Sequence, residues 1–321
     1  MIFNLSPVLI PRDDDSSDSV NPDPYGYRPT LSICILFISL FGISTLAHFF
    51  QAIYHRKWFF LYTAVLAGCM EILGWAGRLW SNINLPNGNA FTMQIVCTIM
   101  APTPLLAANF VILADIIRRL GDRYSRLRPR LYSIIFLSCD IIALAVQGGG
   151  GGIASSSEKT DIVNLGSHIM LAGIVFQLVV IICYMVLGAE FFWRFFHNRP
   201  FHRQSADFVD FNKASALDGN MKTLIYALMF NTLCLFIRAI YRTIELSDGF
   251  DGKIIETQWL FDVFDAAMVV LAMYTYNFVH PGRIFGKDQV NRPLAMSNSD
   301  STGTLNQEQV QLKSFSELQQ V

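Results

Sequence analysis

The chain has 321 residues, of which 52% are hydrophobic and only 15% charged, with 26 phenylalanines and a formal net charge of −1. An average soluble domain carries about 25% charged residues, so this composition excludes an ordinary soluble fold and points to a membrane protein. The near-neutral net charge gives no reason to expect nucleic acid as a partner.

Residues 1–29 form an acidic tail carrying Asp13, Asp14, Asp15, Asp18 and Asp23. Met1–Ile10 lacks a basic start and is interrupted by Pro7, so it does not read as a cleavable signal. Asn4-Leu5-Ser6 is a glycosylation sequon, usable if the tail is lumenal or extracellular.

Seven long apolar stretches follow, at Thr30–Tyr54, Trp58–Trp80, Phe91–Leu113, Leu131–Gln147, Asn164–Ala189, Lys222–Glu245 and Gln258–Val279. A bilayer core takes about 20 apolar helical residues. The expected fold is therefore all-α, a polytopic membrane protein whose seven transmembrane helices occupy residues 30–279. Within the third, Ala101-Pro102-Thr103-Pro104 predicts a bend or break, because proline removes a helix donor. Gln147 followed by Gly148–Gly152 reads as the end of the fourth helix and the start of a flexible outer loop. The alternative is bare backbone that lets a ligand or a neighbouring helix come close. His280-Pro281-Gly282 stops the last helix. Residues 280–321 are rich in Ser, Gln and Asn, the composition of a disordered cytoplasmic extension.

Basic residues alternate from one connection to the next. The first holds Arg56 and Lys57, and the third holds Arg118, Arg119, Arg123, Arg126, Arg128 and Arg130. The fifth holds Arg194, Arg199, Arg203, Lys213 and Lys222, whereas the even connections offer only Lys159 and Lys253. Positive loops stay cytoplasmic, which puts the N-terminus outside and the C-terminus in the cytoplasm. All six cysteines fall inside the apolar stretches, as small packing residues outside any disulfide framework. The histidines have no metal-ligand spacing, and no cofactor or metal is expected.

Eight ionisable residues interrupt the apolar stretches: Glu71, Arg78, Asp140, Arg238, Arg242, Glu245, Asp262 and Asp265. A charge at the bilayer centre costs several kcal/mol and needs a partner or a wet cavity. Depth along each helix gathers most of them toward the outer leaflet. Arg238 and Arg242 are four apart, and Asp262 and Asp265 three apart, so each pair shares a face. With Gln147, Gln177, Asn109 and Asn231 as further polar groups, two readings stand. One is a hydrated chamber, open to the outside, that accepts a cationic head group. The other is a set of interhelical locks, such as Arg242 with Glu245 and Arg238 with Asp262.

These residues also form a pattern. It runs Glu71-Ile72-Leu73-Gly74-Trp75-Ala76-Gly77-Arg78, Ala101-Pro102, Asp140 with Gln147-Gly148-Gly149-Gly150, and Gly173 with Gln177. It continues with Ile237-Arg238-Ala239-Ile240-Tyr241-Arg242-Thr243-Ile244-Glu245, Gly249, Gly252, Glu256, Asp262 and His280-Pro281-Gly282. In this order the chain resembles the fungal lipid-translocating exporter family, the Rta-like resistance proteins, a group that includes the sphingoid long-chain-base exporter. Trp75 stands where the pattern has Tyr.

The resemblance implies a multi-pass protein of the plasma membrane, with the vacuolar or endoplasmic reticulum membrane as alternatives. It implies export or flipping of toxic lipids or amphiphiles, such as sphingoid bases or sterol analogues, and no enzymatic activity. The substrate-binding set would be Glu71, Arg78, Asp140, Gln147, Gln177, Arg238, Arg242, Glu245 and Asp262. Uphill export would draw on a gradient or on downhill release from the leaflet, since no nucleotide-binding motif is present. The alternative function is a seven-helix sensor or receptor of lipid stress without transport. Its rhodopsin-like version lacks a cysteine in Gly148–Val163 and has Tyr274-Thr275-Tyr276-Asn277 in place of Asn-Pro-x-x-Tyr. A membrane hydrolase would need a histidine cluster or a Ser/His/Asp set, and the intramembrane histidines are too few.

Overall fold

The computed structural model describes residues 27–83, 88–156, 159–200, 218–248 and 253–284, and these are entirely helical apart from turns. The sequon at Asn4, most of both tails and the part of the fifth connection that carries Arg203 and Lys213 lie outside the described residues. Seven long helices follow the seven apolar stretches. Helix α1 is Leu31–Tyr54, and α2 is Leu66–Ile83, entered through a π turn at Leu61–Val65. Helix α3 spans Gly88–Leu120. It is two pieces, Gly88–Met100 and Pro102–Leu120, divided where the two prolines were expected to break it. Helices α4, α5 and α6 are Pro129–Ser155, Thr160–Phe196 and Gly219–Ser247. Helix α7 covers 258–278, with a π segment at Asp262–Ala267 between two α-helical parts.

Six of these helices are long and apolar enough to cross a membrane. Helix α3 is the central one: 72% of its most apolar window is buried, against 28–56% in the other five. It packs on α2, α4 and α6, while α1 and α7 close the bundle on the far side of α2 and α6. Large apolar side chains such as Ile43, Leu46, Phe50, Ile142, Val186 and Tyr226 stand exposed on the outside. A bundle whose outer surface is apolar and whose interior holds Arg, Glu and Asn is inverted relative to a soluble core, as hydrocarbon solvent requires.

The glycine run departs from the loop expected of it. Helix α4 continues straight through Gly148–Gly152 to Ser155. A Cβ on Gly150 would lie 2.7 Å from the Gly166 carbonyl oxygen, and one on Gly166 would lie 2.5 Å from the Ala154 nitrogen. The absent side chains let α4 and α5 pack backbone to backbone, the small-residue mode of association in lipid. The outcome is the second of the two expectations, close approach by a neighbouring helix. Gly121, with φ of 115°, ends α3 by returning its N–H to the Ile117 carbonyl.

Candidate functional site

Helix α2 turns Glu71, Gly74, Trp75 and Arg78 to one buried face. A Cβ at Gly74 would sit 2.5 Å from Thr98 Cγ2, so α2 lies directly against the first half of α3. Just beyond, Pro102 has no N–H, and the carbonyl of Thr98, four residues earlier, loses its helical donor. Arg238 Nη2 from α6 donates to that orphaned oxygen at 2.5 Å. The proline break thus creates the acceptor that anchors an arginine from another helix.

Arg238, Arg242 and Glu245 repeat on one face of α6 and meet Asp265 of α7. Asp265 Oδ1 accepts from Arg238 Nε at 2.9 Å and from Arg242 Nε at 2.7 Å. Its Oδ2 accepts from Arg242 Nη2 at 2.8 Å, making the Arg242 pair bidentate. Arg242 Nη1 donates to Glu245 Oε2 at 2.6 Å, and the Tyr241 hydroxyl donates to Glu245 Oε1 at 2.9 Å. Arg242 Nη2 also donates to Thr98 Oγ1 at 2.7 Å. All four charged side chains are at most 4% exposed. Such a network is stable only because its members are paired; the Coulombic gain offsets desolvation and leaves little net surplus.

Arg78 extends the cluster on the α2 side. Its guanidinium lies 4.6 Å from the centroid of the Phe261 ring, and that of Arg242 lies 4.9 Å from the same ring. Arg78 also donates to Gln94 Oε1 at 3.3 Å and to the Tyr27 hydroxyl. A cation over an aromatic face gains about 0.5–2 kcal/mol when desolvated. Between Arg78, Gln94, Arg242, Glu245 and Phe261 lies a cavity with room for about one water.

Two carboxyl groups differ from this paired set. Glu71 is 0% exposed and neither of its oxygens has a hydrogen-bond partner. The charged groups acting on it are Asp265, Arg238 and Arg242. Asp140 of α4 is 1% exposed, and among the described residues neither of its oxygens is bonded and no charged group acts on it. Two helical turns along the same α4 face, Gln147 Nε2 donates to Gln177 Oε1 at 3.1 Å, and Gln177 Nε2 donates to Thr103 Oγ1 at 2.9 Å. A separate polar knot ties α3 to α6 and α7. In it Asn109 Nδ2 donates to Asn231 Oδ1 at 2.9 Å, Tyr276 donates to Asn109 Oδ1 at 2.5 Å, and Asn231 Nδ2 donates to the Ala272 carbonyl at 2.6 Å.

Of the residues expected at the site, Glu71, Arg78, Arg238, Arg242 and Glu245 come together, and Arg242 pairs with Glu245 as one reading had it. The lock expected between Arg238 and Asp262 is corrected to Arg238 and Asp265. A π turn holds one residue more than an α turn, so the segment Asp262–Ala267 shifts the register of the side chains. Asp265 then meets the α6 arginines, while Asp262 stays partly exposed in the field of Arg78. Asp140, Gln147 and Gln177 form a separate group on α4 and α5. Among the described residues, Arg78, Arg242 and Glu245 close around a water-sized space. Gln94, Thr98, Tyr241 and Phe261 were not expected. The donor that Pro102 lacks was the one signal in the sequence that marked Thr98.

The profile of the family described as "RTA1 like protein" matches residues 64–288, a stretch that contains every residue of the cluster except Tyr27. The chain belongs to this family. The "Sphingoid long-chain base transporter RSB1" of Saccharomyces cerevisiae strain S288c is 28% identical over 298 residues, which cover 86% of this chain and 78% of the relative. The S. cerevisiae "Protein RTA1" is 25% identical over 80% of this chain and 84% of its own length. The S. cerevisiae "Protein RTM1" is 24% identical over 69% and 67%. No solved structure matches. Family membership was what the residue pattern had implied.

Proposed function

We propose that this protein translocates an amphiphile with a cationic head group, of the sphingoid-base type, and so confers tolerance to toxic lipids. Similarity to a sphingoid long-chain base transporter along 86% of the chain carries this reading. The unpartnered buried carboxyls support it, because an intramembrane acid without an arginine is a group that a cation or a proton can satisfy. Glu71 and Asp140 are the groups that meet the head or exchange a proton with it. Arg78, Arg238, Arg242, Glu245 and Asp262 form the opposing wall, and Gln147 and Gln177 are polar contacts toward α5. Residues 30–279 constitute the membrane domain, crossing seven times with the N-terminal tail outside and the C-terminal tail in the cytoplasm, and the plasma membrane is its site.

A strain lacking the gene and challenged with sphingoid bases, aminosterols and azoles, with efflux of labelled base recorded alongside, tests the reading. Restored tolerance together with faster efflux is the expected result. Ligand-dependent signalling with unchanged efflux would replace transport with sensing. Correctly localised Glu71→Gln and Arg242→Ala variants that keep full tolerance would remove these residues from the site.

A further inference from the structure

Glu71 is the acid of the cluster that no guanidinium holds in a hydrogen bond among the described residues. On α6 it meets Arg238 and Arg242, on α7 Asp265, and on α3 the thiol of Cys97. Helix α1, packed on its other side, contains no Asp, Glu, Lys or Arg. Arg78, on Glu71's own helix, is two turns away and directed to Gln94, Tyr27 and Phe261. Among the described residues Arg238 and Arg242 donate to Asp265, Glu245, Thr98 and Ile99. Glu71 receives none.

The two arginines are not equally bound to Asp265. Arg242 holds both carboxylate oxygens, whereas Arg238 shares Oδ1 through Nε alone. Asp265 therefore stays paired if Arg238 turns away. A bare carboxylate at 0% exposure costs several kcal/mol, and a proton or an arginine are the two remedies within reach of Glu71. In the closed arrangement seen here the cavity beside Arg78, Arg242 and Glu245 admits about one water, so a head group would reach Glu71 only after the helices part.

We propose that Glu71 is a proton-binding site that exchanges its proton for Arg238. In the arrangement seen here Glu71 is the neutral acid and Arg238 rests on Asp265. When the O–H bond of Glu71 breaks, its proton passes to water and Arg238 swings from Asp265 to the new carboxylate. Asp265 keeps Arg242, so no buried charge is stranded at any stage. The loss of the bond between Arg238 and Asp265 loosens α7 from α6, and a proton gradient thereby acts on the helix contacts. This inference deepens the transport reading and rests on it only for what the proton exchange drives.

Infrared difference spectra of the full-length protein in lipid nanodiscs, recorded over a pH series, test it without any substrate. A protonated-carboxyl stretch that disappears on raising the pH is expected. That signal should be lost in Glu71→Gln and retained in Asp140→Asn. In Arg238→Met it should persist to higher pH, because the replacement partner is gone. Glu71→Asp, which keeps a carboxyl, should keep the signal at a shifted midpoint, and it serves if Glu71→Gln does not fold. A signal that never titrates, or one unchanged in Glu71→Gln and Glu71→Asp, overturns the proposal. Efflux of labelled sphingoid base from proteoliposomes, with and without an imposed pH gradient, separates the two readings. Absence of any base movement in the wild type sinks transport and leaves the proton site standing. Base movement indifferent to the gradient, beside a titrating Glu71, overturns the coupling.

Discussion

Replacing Asp265 with alanine removes the carboxylate that both α6 arginines share. Three charge-assisted hydrogen bonds are lost, at 2.7, 2.8 and 2.9 Å. Taken singly, such bonds are worth about 1.5–3 kcal/mol each. They are not additive, and the larger effect is that Arg238 loses the carboxylate it holds, in a site where its side chain is 4% exposed and Glu71 still carries its proton. Breaking a buried pair by deleting one partner costs about 3–5 kcal/mol, a large part of the ~5–15 kcal/mol that holds a typical domain folded. Thermal unfolding of the detergent-solubilised protein, followed by size exclusion, measures this. Asp265→Ala should unfold well below the wild type, and adding Arg238→Met should recover part of the loss by removing a stranded charge. Asp262→Ala, at a partly exposed position beyond the reach of those arginines, should cost less than about 1 kcal/mol. Equal stability of Asp265→Ala and wild type, or a larger loss in Asp262→Ala, would refute the assignment of the register.

Gly166→Leu should force α4 and α5 apart, since even a Cβ there would lie 2.5 Å from the Ala154 nitrogen. A loss of about 3 kcal/mol is expected, read as poor yield of monodisperse protein, and a well-behaved variant would contradict the close contact. Tyr276→Phe removes the donor to Asn109 Oδ1 and leaves a buried amide oxygen unmet. That costs about 1–3 kcal/mol in the same unfolding assay, and a neutral result would mean that water or another donor satisfies the amide.

Helix number and position were legible because each apolar stretch must satisfy its backbone internally, which makes a helix in lipid a local decision. The break in α3 was legible for the same reason: proline acts on its own turn. The charged residues of α6 were visible as a face, since regular helical spacing fixes which side chains stand together. What the spacing of α7 could not reveal was the π segment, for an extra residue in one turn depends on how the helix is held by its neighbours. Within that segment it is Asp265, and not Asp262, that completes the ion-pair network. The glycine run shows the same division. Its composition permitted either a loop or a contact, and only the presence of Gly166 across the interface settled which.

By itself the sequence determined an all-helical membrane chain, its family, and most of the charges kept from lipid. The tertiary structure decided which acid each arginine holds and which acids are left over. Pairing depends on distances between helices far apart in the chain, and those distances exist only once the bundle has packed.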